Sequence, residues 1–203
     1  MKIICIGRNY AKHAKEMNAA VPTTPLFFMK PDVALLRPGT PFFYPNFSKD
    51  IHFECELVVK INRVGKNIAA KFAHKYYDEI GLGIDFTARD LQQKCKENGH
   101  PWEIAKSFEG SAPISKEFID KKAIDLNTLS FHLEKNGETV QQGTTEDMIF
   151  SIDRIIAYVS QFMTLKKGDL IYTGTPAGVG PIAIGDELTG FIGEREMLSV
   201  RIK

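Results

Sequence analysis

The sequence lacks the features of a membrane protein, a disulfide-rich domain or a protein that binds a polyanion. No apolar run approaches the roughly 20 residues needed to cross a bilayer, and the apolar start at Ile3–Ile6 is too short for a signal peptide. The three cysteines, Cys5, Cys55 and Cys95, lie far apart without a CxxC pair, which favours a reducing compartment. With 26 Lys+Arg against 25 Asp+Glu, the chain has no basic excess for nucleic acid. We therefore expect a cytoplasmic protein without nucleic-acid or membrane partners, acting on a small molecule.

Length and composition indicate one globular domain. The 203 residues are 43% hydrophobic and 25% charged, which is ordinary for a folded domain with a sizeable core. Hydrophobic alternation predicts six strands, at Lys2–Ile6, Phe53–Ile61, Ile80–Phe86, Asp169–Thr173, Glu187–Ile192 and Leu198–Ile202. A hairpin is also predicted over Leu129–Gln142, because Asn136-Gly137 is a strong turn signal.

Helical patterns are fewer. We expect helices at Ala11–Asn18, Asn67–Glu79 and Ala88–Asn98, and a further one after Ser151. Thr87 is the predicted N-cap of the third, with Asp90 at the capping-box position. Ser151 is the predicted cap of the fourth, whose apolar residues recur at i, i+3, i+4 and i+7. The order of elements predicts an α+β domain dominated by mixed or antiparallel sheet.

Two carboxylates interrupt the apolar strand that begins near Phe53. Glu54 and Glu56 are two residues apart, so a strand projects both from the same face, where like charges repel. Three explanations remain open: a face turned to solvent, a proton shared between the carboxyls, or a divalent cation that neutralises both.

A third acid ends the next predicted strand. In Ile80–Asp85 the apolar residues share one face, and Gly81, Gly83 and Asp85 share the other, as if something approaches there. One interpretation is a close backbone contact with Asp85 as a turn residue. In the other, Asp85 joins the two glutamates as an oxygen ligand of Mg²⁺, with Mn²⁺ or Ca²⁺ as alternatives. His52 shares the parity of the glutamates, and a mixed His/carboxylate iron site is the less favoured version.

Other polar residues admit both a surface and a functional interpretation. His13 and Glu16 form an HxxE pair one helical turn apart, either surface decoration or a base with its partner. Arg89 and Gln92 are surface groups or an anion clamp, and Lys106 either extends along apolar surface to water or enters a site. Thr175 lies in a glycine-rich turn that lacks the lysine of a phosphate-binding loop, so we do not expect a nucleotide site; the turn either only ends a strand or places the Thr175 hydroxyl against a carboxylate.

Several segments together resemble the fumarylacetoacetate hydrolase superfamily. They are GRNYAKHAKE, FFMKP, FECEL, GIDFTARDLQ, WEIAKSFEG, NGETVQQGTTEDMIF and LKKGDLIYTGTPAGVGP, in order over nearly the whole chain. The resemblance implies one catalytic domain over residues 1–203, with a β-roll of layered mixed sheets, peripheral helices and assembly as a homodimer. It also implies that Glu54, Glu56 and Asp85 bind Mg²⁺ or Mn²⁺.

Within the superfamily, the chain looks most like the short acylpyruvate hydrolases and oxaloacetate decarboxylases. This resemblance implies Mg²⁺-dependent C–C cleavage of acylpyruvates, small 2-oxo acids, to pyruvate and a carboxylic acid, and decarboxylation of oxaloacetate at the same site. His13, Glu16 and Lys106 would be catalytic, and Arg89, Gln92, Lys106 and Thr175 would bind substrate. Two alternatives stay open: an isomerase or decarboxylase of 2-hydroxyhepta-2,4-diene-1,7-dioate-type dienoates, and a 2-oxo acid binding protein without turnover.

Overall fold

A computed structural model of the chain describes residues 1–18 and 20–203 and contains far more strand than helix. The strands are β1 (Ile3–Gly7), β2 (Leu26–Lys30), β3 (Leu35–Leu36), β4 (Ile51–Phe53), β5 (Cys55–Ile61), β6 (Tyr77–Ile84), β7 (Thr87–Ala88), β8 (Ala112–Pro113), β9 (Ile119–Asp120), β10 (Ser130–Lys135), β11 (Glu138–Thr144), β12 (Leu170–Tyr172), β13 (Gly180–Pro181), β14 (Glu187–Ile192) and β15 (Arg195–Arg201). The helices are α1 (Ala11–Glu16), α2 (Ala70–Ala73), α3 (Arg89–Asn98), α4 (Glu103–Lys106) and α5 (Ile152–Phe162).

Two sheets form the framework. The larger has six strands in the order β2-β1-β12-β5-β6-β9, in which β1 and β12 run parallel and every other neighbouring pair is antiparallel. The smaller is antiparallel, in the order β11-β10-β14-β15, and it packs on β5 and β6. Apolar side chains such as Leu57, Leu82, Leu133 and Leu188 are fully buried in the core cluster that both sheets share. The α+β class with mixed sheet is therefore confirmed.

The hairpin and the last helix form as the sequence predicts. Asn136 and Gly137 both have positive φ, at 55° and 82°, as the two-residue turn of a tight hairpin requires. Ser151 accepts a hydrogen bond from the Arg154 amide at 3.4 Å, and α5 buries its predicted apolar face. Among the helices of the part of the chain that the structure describes, none has both the length and the apolar character needed to span a membrane.

The helix predicted at Asn67–Glu79 is wrong. Only Ala70–Ala73 is helical, and Tyr77 already begins β6, where it pairs with Ile61. Asn67 has a φ of +52°, which a right-handed helix cannot use. Ladder pairing with β5 prevails over the helical pattern of the alanines, because it buries Tyr77 and Ile80 in the core.

The cap predicted for α3 is also wrong, although the helix itself forms. Thr87 pairs with His52 in β7, and its hydroxyl donates to the Asp85 carbonyl at 3.3 Å. The N-cap position belongs to Ala88, whose methyl side chain cannot accept a hydrogen bond. Asp90 instead accepts a hydrogen bond from the Ser48 hydroxyl at 2.7 Å, so it fixes a neighbouring loop.

Candidate active site

Three buried carboxyl groups meet where β4 and β6 end and β5 begins. Glu54 lies at the break between β4 and β5, Glu56 lies within β5, and Asp85 follows β6. One oxygen from each lies within 4.8 Å of the others, and the three residues are 5%, 1% and 1% exposed. Because unpaired like charges would be costly in such a place, a solvent-facing strand side does not explain them. Buried, clustered carboxylate oxygens fit a hard divalent cation.

The glycines on the face of Asp85 lie against other parts of the protein. A Cβ at Gly81 would lie 2.6 Å from Ser115 Oγ, and one at Gly83 would lie 2.5 Å from the Tyr172 ring. These positions therefore admit neighbouring parts of the protein and not a ligand. The close-contact interpretation holds for both glycines, while Asp85 itself still joins the acidic cluster.

His52 lies outside the acidic cluster, despite sharing the parity of the glutamates. Its Nε2 is 2.8 Å from Asp50 Oδ1, and Pro181 and Thr87 are its neighbours across the sheet. β4 ends one residue before Glu54, so strand parity does not carry through from His52 to the glutamates. The structure gives no support to the mixed His/carboxylate site.

Three cations surround the carboxylates. Lys106 Nζ donates to Glu54 Oε2 at 2.7 Å and to Asp85 Oδ2 at 2.8 Å. Arg89 donates to the other oxygen of Glu54 at 2.6 Å. Lys30, which is 1% exposed, places its Nζ 2.8 Å from Asp85 Oδ1. The buried position of Lys106 therefore reflects ion pairing with the acidic cluster and not an apolar stem that reaches water.

The surroundings shift the pKa values of Glu54 and Glu56 in opposite directions. Burial alone would raise the pKa of Glu54, but Lys106 and Arg89 outweigh it and hold that pKa well below its usual range. For Glu56, burial together with the charges of Asp85 and Glu54 raises the pKa well above its usual range. Glu56 accepts a hydrogen bond from the Gly174 amide at 2.6 Å, which opposes that rise. Glu56 is therefore readier to hold a proton than Glu54.

His13 of the HxxE pair faces the same place. His13 is buried in α1, and its Nδ1 lies 3.1 Å from Glu16 Oε2. Glu16 also accepts a hydrogen bond from the Gly178 amide at 3.1 Å, which ties α1 to the glycine-rich turn. With Nδ1 engaged by a carboxylate, Nε2 is the ring nitrogen left to exchange a proton.

A cavity of about 40 Å³ connects these groups. Its lining contains the three acids and the predicted residues His13, Arg89, Gln92, Lys106 and Thr175, but not Glu16. A water molecule needs only about 10–15 Å³ of such space, so the cavity accommodates an ion and a few waters. A larger groove of about 410 Å³, around residues 36–41 and 196–201, contains none of the predicted site residues.

Sequence reasoning missed three buried polar residues that hold this site together. Lys30 also bonds Ser111 Oγ at 2.9 Å, and a lysine that ends the apolar run LFFMK was the available signal. Asn9 donates to the Thr173 carbonyl at 2.7 Å and accepts from the Phe150 amide at 2.8 Å. Gln141 bonds Thr175 across 34 positions of sequence, and no local pattern indicates such a contact.

With this geometry established, comparison with known proteins gives the family. The family model for the C-terminal region of fumarylacetoacetate (FAA) hydrolase matches residues 2–203. The chain belongs to this family. The resemblance drawn from the seven sequence segments is therefore confirmed, and so is the fold of layered mixed sheets that it implied for a fumarylacetoacetate hydrolase.

Among its relatives are two oxaloacetate tautomerases. The mitochondrial enzyme FAHD1 of Bos taurus is 43% identical over 201 residues, which cover 99% of this chain and 90% of the relative. YcgM of Escherichia coli (strain K12) is 45% identical over 190 residues, covering 93% and 86%. Among solved structures, fumarylpyruvate hydrolase from Pseudomonas aeruginosa in complex with Mn²⁺ and pyruvate is 36% identical, with a TM-score of 0.93 and coverage of 100% and 89%. These relatives support an enzyme of the fumarylacetoacetate hydrolase family with a divalent-metal site.

Proposed function

We propose that the protein is a Mg²⁺-dependent enzyme of small 2-oxo acids, and that its principal reaction is the keto–enol tautomerisation of oxaloacetate. The observation that carries the proposal is the buried cluster of Glu54, Glu56 and Asp85, with ligand oxygens within 4.8 Å of one another. The identity of 43–45% with two oxaloacetate tautomerases favours this reaction over the acylpyruvate hydrolysis that the sequence resemblance implies.

The donor set fits the proposed cation. Three carboxylate oxygens are hard ligands, and three protein ligands leave positions for water and substrate, as Mg²⁺ prefers; Mn²⁺ and Ca²⁺ are the alternatives. When bound, the cation supplies Lewis-acid chemistry, because it draws electron density from the 2-oxo group and favours the enol form.

The cations of the chain set the charge that the substrate meets. Glu54, Glu56 and Asp85 carry up to three negative charges, and Lys30, Lys106 and Arg89 carry three positive ones. A divalent ion therefore leaves the site positive, which favours a dianion such as oxaloacetate over a neutral molecule. We assign Arg89, Gln92, Lys106 and Thr175 to binding the substrate carboxylates, because all four line the cavity.

His13 is the proposed proton carrier. Its Nε2 accepts a proton from C3 of the keto acid and returns it to the enolate oxygen, so the substrate is isomerised with no net change in protonation. Glu16 accepts the Nδ1 hydrogen bond at 3.1 Å, which fixes the tautomer and stabilises the imidazolium in between. Lys106 is positioned to stabilise negative charge on the substrate, since it is buried and lines the same cavity.

Hydrolysis of acylpyruvates is the second candidate, and the His13–Glu16 pair favours it. A base backed by a carboxylate is the arrangement that activates water. The water oxygen would add to the distal carbonyl as His13 takes its proton. Cleavage of the C–C bond would then release a carboxylic acid and the enolate of pyruvate, which is protonated to pyruvate. Decarboxylation of oxaloacetate forms the same enolate without the attacking water.

One preparation distinguishes these functions. The metal-loaded protein is assayed with oxaloacetate for loss of the enol absorbance, with acetylpyruvate and fumarylpyruvate for release of pyruvate, and with a 2-hydroxyhepta-2,4-diene-1,7-dioate for isomerisation. We expect tautomerisation to be fastest and to stop on removal of the metal. Faster turnover of an acylpyruvate or of the dienoate would replace the principal assignment, and binding without turnover of any substrate would make the chain a binding protein.

Two further properties are proposals of the same kind. We propose a homodimer, which light scattering coupled to size-exclusion chromatography tests directly. Residence in the cytoplasm is proposed from the reducing environment that the unpaired cysteines favour.

A further inference from the structure

Gln141 connects the ligand strand with the substrate-binding turn. Its Oε1 accepts a hydrogen bond from the Cys55 amide at 2.9 Å, between the two metal-ligand glutamates. Its Nε2 donates to Thr175 Oγ1 at 2.9 Å and to the Pro176 carbonyl at 3.0 Å. The side chain is only 2% exposed, and these three bonds account for its oxygen and both of its hydrogens.

The orientation of this amide is fixed from both ends. The Cys55 amide can only donate, so it requires the oxygen of Gln141, and the Pro176 carbonyl can only accept, so it requires the nitrogen. A reversed amide would set two donors against each other at one end and two acceptors at the other. The group that faces Thr175 is therefore an N–H donor.

This orientation determines what the Thr175 hydroxyl can do. A hydroxyl that accepts a hydrogen bond still has its own hydrogen to donate. Within residues 1–18 and 20–203, Thr175 Oγ1 donates to no other group, and Thr175 is 3% exposed and lines the cavity. The hydrogen is thus available to an acceptor inside the cavity.

A β-bulge delivers Gln141 to this position. On β10, the neighbours Leu133 and Glu134 pair with Gln141 and Thr139 on β11, which leaves Val140 as an extra residue. A bulge bends the strand and changes the direction of the adjacent side chains. Here it lies beside the one residue of β11 that reaches both the ligand strand and the turn after β12.

We infer that Gln141 is a positioning residue, which holds the Thr175 hydroxyl as a hydrogen-bond donor to a carboxylate of the 2-oxo acid. The inference rests on the proposed function, because it assumes that a 2-oxo acid occupies the cavity. Gln141 itself touches the Cys55 amide, Thr175 and Pro176, and it acts on the substrate only through Thr175.

A double-mutant cycle on ligand binding tests the inference. Trp102 is the only tryptophan of the chain and lines the cavity, so its fluorescence reports pyruvate binding in the presence of Mg²⁺. Thr175→Val removes the hydroxyl and should weaken pyruvate binding by about tenfold, the scale of one hydrogen bond to a charged group. Gln141→Glu keeps the shape but accepts the Thr175 hydrogen, so it should weaken binding by a similar factor.

The coupling between the two positions decides the outcome. If Gln141 acts through Thr175, the double variant binds pyruvate no more weakly than Thr175→Val alone. Thr175→Ser keeps a hydroxyl and should stay sensitive to Gln141→Glu. Gln142→Glu, an exposed neighbour with the same charge change, is the matched control and should leave binding unchanged. Gln141→Met replaces the glutamate variant in the cycle if thermal melts show that the latter does not fold.

Two results would overturn the inference, and they are distinct. If the losses multiply in the double variant, Gln141 has a general structural role and the inference fails alone. If the wild-type protein binds no pyruvate by fluorescence or by calorimetry, the 2-oxo acid site fails and takes the inference with it.

Discussion

Replacing Lys106 by methionine should make the stability of the protein depend on metal. The ammonium of Lys106 lies 2.7 Å from Glu54 and 2.8 Å from Asp85, and all three side chains are at most 7% exposed. Without it, two buried carboxylates lose a shared cation. Breaking a buried ion pair in this way costs roughly 3–5 kcal/mol.

The size of the expected effect follows from the length of the chain. A protein of 203 residues loses about 2–4 °C in Tm for each kcal/mol, so Lys106→Met should lower the Tm of the metal-free protein by about 6–20 °C. Added Mg²⁺ should restore much of this loss, because the cation takes over the neutralisation of the same oxygens. The rise in Tm with Mg²⁺ should therefore be larger in the variant than in the wild type.

Differential scanning calorimetry with chelator and with excess Mg²⁺ measures both quantities. Lys94→Met, at an exposed position of α3, is the matched control and should change neither. If Lys106→Met melts within about 2 °C of the wild type in the absence of metal, the ion pair contributes less than about 1 kcal/mol and the reasoning is refuted. A loss of Tm that Mg²⁺ does not reduce would refute it as well.

Three other predictions follow from single contacts. His13→Ala should lower turnover by at least about 100-fold, the scale of general acid–base catalysis, whereas the exposed His100→Ala should not; undiminished turnover would exclude His13 as the base. The raised pKa of Glu56 keeps a proton on this carboxyl at pH values where an ordinary carboxyl is ionised, so the stability of the metal-free protein should fall as the pH rises from the ordinary carboxyl pKa through the raised pKa of Glu56. Metal binding should release this proton, which calorimetry in two buffers of different ionisation enthalpy measures; Glu56→Gln should release none. Asn9→Ala removes the hydrogen-bond partner of the Thr173 carbonyl and of the Phe150 amide and carbonyl, so urea unfolding should show a free energy of unfolding lower by at least about 2 kcal/mol. A decrease below about 0.5 kcal/mol would contradict this.

Much of the fold is visible in local sequence. The Asn136-Gly137 hairpin, the Ser151-capped helix and most strands form as predicted, because turn chemistry, capping and apolar periodicity act over a few residues. The helix predicted at Asn67–Glu79 fails for the opposite reason. Its fate depends on the pairing of β6 with β5, which no local pattern contains.

The residues of the candidate site show the same difference between local sequence signals and distant contacts. Charged residues in an apolar run can be recognised from sequence alone, as Glu54, Glu56 and Asp85 are, and the structure brings their oxygens together. Lys30 and Gln141 act through contacts that span 55 and 86 positions, to Asp85 and Cys55, so sequence reasoning had no pairing from which to infer them. The glycines of β6 leave two interpretations open from sequence, since a missing side chain marks close packing as readily as a ligand, and the structure supports close packing.

Direct titration with Mn²⁺ and Mg²⁺ by calorimetry tests the central claim that three carboxylates from neighbouring strands hold one cation. The wild-type chain should bind one divalent ion, and each of Glu54→Gln, Glu56→Gln and Asp85→Asn should bind it at least about tenfold more weakly. Asp78→Asn, at an exposed acid of β6, should bind as the wild type does. Equal affinity in the wild type and the three cluster variants would contradict the account.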